Sequence, residues 1–246
     1  MRFIDSHLHL GEYEDPESVV EAAVALDMVL VSSGIGKASS MRTLALAKEF
    51  PQTIRPFIGV HPAEAGKGEG LSWVSEYISS ADGVGEIGLD PKYKNESPME
   101  AQLSTFSDLL SAGEASRKPV QVHSRGAEKE CLEVLSSFHL GSVQLHWFQG
   151  EELLRETEER GYFVSFGPAL LSSGRLQRMV QSYPRGLVLV ETDGPVPFAA
   201  LGRASGPTLI PSVVFRISEL WGTTFDECAQ AVLANSLAYL GSGTKG

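Results

Sequence analysis

The chain has 246 residues, 42% of them hydrophobic and 21% charged, with a formal net charge of −11 at neutral pH. That length allows one large core and suits an α/β barrel folded as a single domain over residues 1–246. The acidic balance argues against a protein that wraps duplex nucleic acid through a broad basic surface, although bound cations can override it locally.

In chain order, β-rich runs at 2–10, 28–34, 53–62, 82–90, 119–125, 142–148, 161–167 and 186–194 read as strands. Between them lie amphipathic stretches such as PESVVEAAVALD, MEAQLSTFSDLLSAGEASR and GRLQRMVQSYP, with apolar residues at helical spacing. Pro16 and Pro98 stand where helices start, and Gly161 and Gly186 where they stop. Two further helical patterns, PTLIPSVVFRISELWG and TFDECAQAVLANSLAYLG, close the chain. Alternation of this kind means parallel strands joined by right-handed crossovers. No G-x-G-x-x-G loop follows any strand, so a (β/α)8 TIM barrel is expected rather than an open dinucleotide-binding sheet.

No apolar run approaches the length of a membrane span, and the N-terminus lacks the layout of a secretion signal. A cytoplasmic protein without membrane attachment is expected. Cys131 and Cys228 stand far apart, each inside a helical pattern, and read as buried thiols.

The first strand, RFIDSHLHL, carries two histidines one residue apart. Side chains two apart in a strand share a face, so His7 and His9 sit side by side at the end of an apolar run. Burying two imidazoles together is costly unless something holds them, and a divalent metal does so. The chain has six histidines. His7, His9, His61, His123 and His146 all fall near the ends of strands 1, 3, 5 and 6, the face where barrel active sites lie. His139 falls at a helix end, where its charge suits the helix dipole.

Two carboxylates join them: Glu86 in GVGEIGLD on strand 4 and Asp193 in LVLVETDG on strand 8. A carboxylate buried among valines and leucines is paired or coordinates metal. His7, His9, Glu86, His123, His146 and Asp193 offer imidazole and carboxylate but no thiolate, a set that suits Zn²⁺, Mg²⁺ or Mn²⁺. They are too many for one tetrahedral ion with an open position, so two divalent ions sharing a carboxylate are expected. Asp5 and Asp90 read as hydrogen-bond partners of the ligating histidines, with helix capping as the alternative. Arg125 follows strand 5 as a candidate substrate contact, whereas Lys92 and Arg203 read as solvated charges. Trp147 and Phe148 either stack on a base or pack behind strand 6.

The pieces DSHLHL, GVHP, GEIGLD, VHSR, LHWF and ETDGP run in this order from residue 5 to 195. Together they resemble the TatD family of metal-dependent deoxyribonucleases, within the amidohydrolase superfamily of (β/α)8 barrels. The resemblance implies that His7 and His9 bind one ion, that Glu86 bridges, and that His123 and His146 bind the second. Asp193 then binds metal and handles the proton of the attacking water. His61 is implied to be an active-site histidine that binds no metal and contacts the substrate phosphate. A DNA substrate, cleaved at phosphodiester bonds in the 3′ to 5′ direction, is implied as well. The acidic surface turns that expectation toward single-stranded or frayed ends. The loops after GEIGLD and ETD, reading PKYK and GPVPFAALGRASGPTLIP, depart from the family pattern.

Two other readings of the same residues remain: an amidohydrolase acting on a cyclic amide, lactone or small amide, and a barrel without catalysis that serves as a binding module. Many amidohydrolases carry a carboxylated lysine on strand 4, where this chain has Glu86. A binding module predicts missing ligands, and the set is complete.

Overall fold

In a computed structural model, which describes residues 2–67, 70–198 and 202–241, eight strands form one sheet in sequence order. They are β1 (Phe3–Leu8), β2 (Met28–Ser33), β3 (Ile54–Ile58), β4 (Gly83–Gly88), β5 (Val120–His123), β6 (Val143–His146), β7 (Phe163–Phe166) and β8 (Val188–Val190). Every neighbouring pair is parallel. The crossovers carry α1 (Pro16–Ala25), α2 (Lys37–Glu49), α3 (Ser72–Tyr77), α4 (Met99–Ser116), α5 (Glu128–Leu135), α6 (Leu154–Glu159) and α7 (Gly174–Ser182). Asp15 caps α1 by accepting from the Ser18 amide, with Pro16 at the first helical position.

The strands are shorter than the sequence suggests, because the chain leaves the ladder as it nears the axis. His9 and His61 lie past the ends of β1 and β3. Asp193 lies past β8 with a left-handed φ of 53°. Gly186 sits in a short 3₁₀ turn rather than at a helix stop, and His139 is exposed beyond the end of α5. The 194–211 loop, read as irregular, contains an antiparallel pair, β9 (Pro197–Phe198) and β10 (Arg203–Ala204). Cys131 and Cys228 are both buried free thiols. Among the described residues no helix is long and apolar enough to cross a membrane.

One apolar core lies between the outer faces of the strands and the helices, and a second fills the bottom of the barrel. The lower core joins Ile4, Val29, Val31, Phe57, Phe163 and Leu189 to Tyr239. Tyr239 arrives on the last helix, for after α8 (Ile210–Trp221) the chain turns into α9 (Phe225–Tyr239), opened by a reciprocal Thr224–Glu227 capping box. α9 seals the barrel floor. Asn235 donates to the carbonyls of Arg185 and Val188 at 2.7 and 2.8 Å, and Tyr239 donates to that of Val120 at 3.1 Å.

Above this floor the interior becomes polar. Gln121 donates to the Ser6 carbonyl at 2.6 Å and to Gln144 Oε1 at 2.9 Å; Gln144 donates to Ser6 Oγ at 3.1 Å and Ser165 Oγ at 2.9 Å. Two bulges build the next level. On β1, Asp5 pairs with Leu30 and Leu8 with Ser32; on β4, Val84 pairs with Val120 and Ile87 with Val122. Each strand thus holds one extra residue, which re-aims side chains. Ser6 and His7 both reach Gln121, and Gly85 and Glu86 share the inner wall of β4. A Cβ on Gly85 would meet Gln121 Cβ at 2.7 Å, and one on Gly88 (φ +145°) would lie 1.9 Å from the His123 carbonyl oxygen. Those two glycines let β4 pass close to β5.

No ladder joins β8 to β1 among the described residues. The seam is closed by the Asp193 amide donating to the His7 carbonyl at 2.9 Å, and the His9 amide to that of Gly194 at 2.7 Å. Asp5 supplies the rest. Expected as a partner of the ligating histidines, it meets His7 only through the backbone, accepting from the His7 amide at 3.3 Å, and otherwise accepts from the Thr192 amide at 3.0 Å and the Thr192 hydroxyl. A side chain thus takes the place of a strand carbonyl. Asp5→Ala strands those buried donors, and should lower the unfolding free energy by about 2–4 kcal/mol. Urea denaturation checks this, and a midpoint equal to wild type would remove Asp5 from the seam.

Candidate metal centre

The strand ends bring His7, His9, Glu86, His123, His146 and Asp193 together, all buried. Glu86 lies at their centre and divides its oxygens. Oε2 is 3.1 Å from His9 Nε2 and 3.8 Å from His7 Nε2. Oε1 is 2.6 Å from His123 Nδ1 and 3.6 Å from His146 Nε2. Asp193 Oδ1 faces His7 Nε2 at 3.4 Å, His9 Nε2 at 3.5 Å and His146 Nε2 at 3.9 Å. Ligands held about 2.0–2.2 Å from a common ion lie roughly 3–3.5 Å apart, so these separations leave room for cations between the groups. The His123–Glu86 contact is shorter, a direct hydrogen bond that a cation would replace.

Each ring is fixed from behind. His7 Nδ1 meets Gln121 Oε1 at 2.6 Å, His9 Nδ1 the Ser33 carbonyl at 2.9 Å, and His146 Nδ1 Glu191 Oε2 at 3.0 Å. Nδ1–H donation in all three leaves the Nε2 lone pair facing Glu86 and Asp193. His7 Nε2 is buried with no hydrogen-bond partner, an orphan that suits a ligand nitrogen. His123 is held from the other side, its Nε2 2.9 Å from Asp90 Oδ2.

The electrostatics also call for positive charge. Burial opposes ionisation of Glu86, but the charge and hydrogen bond of His123, with a further hydrogen bond from His9, outweigh it and hold the carboxyl well below its usual range. Asp193 is held low too, where His146 and His7 outweigh burial. Burial likewise works against charge on His9 and His146. Asp193 and Glu86 nevertheless keep His9 well above the usual imidazole value, and Glu191 with Asp193 pushes His146 up to about 9. A pocket that draws protons onto buried imidazoles favours a dication there more strongly. Three overlapping groups of donors lie within 4.8 Å of one another: His7, His146 and Asp193; His7, His9 and Glu86; His61, Glu86 and His123.

His61 packs edge-on against His123, with ring centres 4.7 Å apart, but differs from the other rings in its hydrogen bonding. Its Nδ1 accepts from the Ala63 amide at 3.0 Å, so the ring proton sits on Nε2, 4.0 Å from Glu86 Oε1. Burial pushes its pKa down to about 4, and the ring stays neutral. It faces the centre as an N–H donor. Arg125 is bound to Asp90 through Nε at 2.9 Å and a terminal nitrogen at 2.6 Å, and lies 5.7 Å from the Tyr93 ring centre. Its charge is therefore shared with Asp90, whose carboxyl is brought down to about 2 as hydrogen bonds from His123, the Lys92 amide and Arg125 outweigh burial. Lys92 lies 5.6 Å from the same ring centre, and the side chain of Arg203 lies outside the described residues. Phe148 is buried in the core, while Trp147 is half-buried beside His146.

Gln121, Ser33 and Glu191 escaped the sequence reading. For Gln121 the signal was present. VQVH and VQLH each place an amide two residues before a histidine, on the same face of the strand.

The family model for TatD related DNase matches residues 4–241. An uncharacterized metal-dependent hydrolase of Methanocaldococcus jannaschii is 24% identical over 250 residues, 97% of each chain. The human deoxyribonuclease TATDN3 is 25% identical over 254 residues, covering 95% of this chain and 93% of its own. The crystal structure of YjjV, a TatD homolog from Escherichia coli, superposes with a TM-score of 0.87 at 24% identity, over 96% of this chain and 97% of that one.

Replacing Gln121 with Leu removes the acceptor that fixes the His7 ring. Metal affinity should fall about 10–100-fold, read by competitive titration with Zn²⁺ or Mn²⁺, while the far-ultraviolet circular dichroism is retained. Unchanged affinity would mean that His7 needs no such orientation.

Proposed function

The chain belongs to the TatD-related DNase family and is a metal-dependent hydrolase acting on ester bonds; from that premise we propose a two-metal phosphodiesterase that cleaves DNA, 3′ to 5′, from single-stranded or frayed ends. The observation that carries the reading is the division of Glu86, with Oε2 toward His7 and His9 and Oε1 toward His123 and His146. His7, His9 and Asp193 would hold one divalent ion and His123 and His146 the other, with Glu86 between them. Zinc, magnesium and manganese all suit the donors. Such a pair, when bound, acidifies water and neutralises charge on a phosphate.

The remaining steps belong to side chains. Asp193, kept ionised by its imidazole neighbours, accepts the proton of the attacking water and returns it to the leaving oxygen. His61, neutral with its proton on Nε2, donates to a phosphate oxygen as negative charge develops there. Arg125 serves as a weaker phosphate contact, since Asp90 already holds its guanidinium. A −11 chain offers duplex DNA little general attraction, so affinity arises at the centre itself.

The test is hydrolysis of single-stranded DNA, duplex DNA, a lactone and an amide by chelator-stripped and reloaded protein. DNA turnover should vanish on stripping and return with Mn²⁺ or Mg²⁺, and Asp193→Asn should lower kcat by a factor of about 10²–10⁴. Faster turnover of the lactone or amide would favour an amidohydrolase, and full activity after stripping would refute the metal reading. Glu86→Gln removes the charge that offsets repulsion between two dications. Its metal content should drop from two ions toward one by elemental analysis, and two retained ions would rule out Glu86 as the bridge.

A further inference from the structure

A cavity of about 290 Å³ opens beside Asp193, between the ends of β6, β7 and β8 and the β9 segment. It sits at the small end of ligand pockets. Its walls are mostly apolar and include the aromatic side chains of Trp147, Phe148, Phe166 and Phe198 beside Leu176 and Val196. No lysine or arginine lines it among the described residues, and its acidic residues, Glu191 and Asp193, belong to the metal centre. A second phosphate would meet apolar walls and negative charge there. The cationic side of the centre is elsewhere, where Arg125 and Lys92 flank Tyr93.

Most polar side chains of the lining are already committed, the Trp147 indole N–H and the Ser172 hydroxyl excepted. Ser205 donates to the Thr192 carbonyl at 2.7 Å, and Thr192 donates its hydroxyl to Asp5. Ser165 accepts from Gln144 at 2.9 Å, and Glu191 accepts from His146 at 3.0 Å and from the Trp147 amide at 3.3 Å. Ser172, at the exposed mouth, has the one uncommitted hydroxyl among the described lining side chains. The cavity offers shape and apolar surface but almost no hydrogen-bond readout.

We infer that this cavity is a base subsite: it takes the uncharged, planar aromatic group carried by the nucleotide whose phosphate is at the metal centre, and takes it with little regard to base identity. The inference rests on the phosphodiesterase reading and deepens it, naming what lies next to the reacting phosphate. Aromatic walls bind every base through its flat face, and a site with so few free donors or acceptors distinguishes one base edge from another only weakly. The strap that carries Val196 and Phe198 makes one wall, and it belongs to the 194–211 loop.

Isothermal titration of the metal-loaded protein with deoxyadenosine 5′-monophosphate, thymidine 5′-monophosphate and deoxyribose 5-phosphate tests the subsite without requiring turnover. Both nucleotides should bind about tenfold or more tightly than the base-free sugar phosphate, and within about threefold of each other. Ala169→Trp, which fills the cavity, should bring the ratio of nucleotide to sugar-phosphate affinity close to one. Val196→Glu, a change at an exposed rim position that spares the fold, should reduce the same ratio. Equal binding of nucleotide and sugar phosphate by wild type would overturn the inference, as would a ratio untouched by both variants. DNA hydrolysis is assayed in parallel. A base-dependent affinity without DNA cleavage would leave the subsite standing and remove the nuclease reading; cleavage without base-dependent affinity would do the reverse.

Discussion

One ionised carboxylate at the axis of the barrel governs the rest of the molecule. Glu86 is almost fully buried, and an unpaired charge there is prohibitively costly. Imidazoles from β1, β5 and β6 therefore converge on it, with His9 and His61 beyond two strand ends. The β4 bulge turns it inward, and Gly85 and Gly88 flank it because β4 must approach β5 more closely than a Cβ permits. A (β/α)8 barrel suits this demand, since parallel strands bring all their carboxyl ends to one face.

The interior is layered to match. The floor is apolar and sealed by Tyr239, so the barrel keeps an ordinary packed core where no chemistry is needed. The middle layer of Gln121, Gln144, Ser6, Ser33 and Ser165 does not add much net stability, because its hydrogen bonds replace ones made with water. What it supplies is orientation. An amide has a fixed donor end and a fixed acceptor end, and the Gln121 acceptor end selects the His7 tautomer whose Nε2 faces the centre. Aliphatic side chains would fill the same space and leave the ring free to turn.

Much of this was legible in sequence because the informative residues are chemically conspicuous. Histidines and carboxylates at strand ends stand out against valine and leucine, and alternation of strand and helix gives the barrel. The bulges were not legible. FIDSHL reads as an ordinary strand, and its extra residue follows only from what its neighbours require across the ladder. The main contacts of Asp5 were hidden for a related reason. An acid two residues before a histidine resembles a partner for a ligand, yet beyond the His7 amide its contacts are with Thr192, 187 residues away, at a seam that local pattern cannot reveal. The small β9–β10 pair was equally hidden, being two residues long on each side.

The charge of the chain and the charge of its proposed substrate are both negative, and the centre is where that conflict is resolved. Glu86, Asp193, Glu191 and Asp90 concentrate negative charge at one end of the barrel. Loaded with divalent cations, it would attract phosphate at short range while the remaining acidic surface still screened out longer-range association. Recognition would then be confined to the nucleotide that reaches the metals, rather than spread along a tract of backbone. A groove lined with lysine would give the opposite behaviour, tight and indiscriminate binding to duplex with steep salt dependence. On the proposed reading the acidic exterior and the acidic centre act together: the first would keep polyanions from binding away from the site, and the second supplies donors that suit cations.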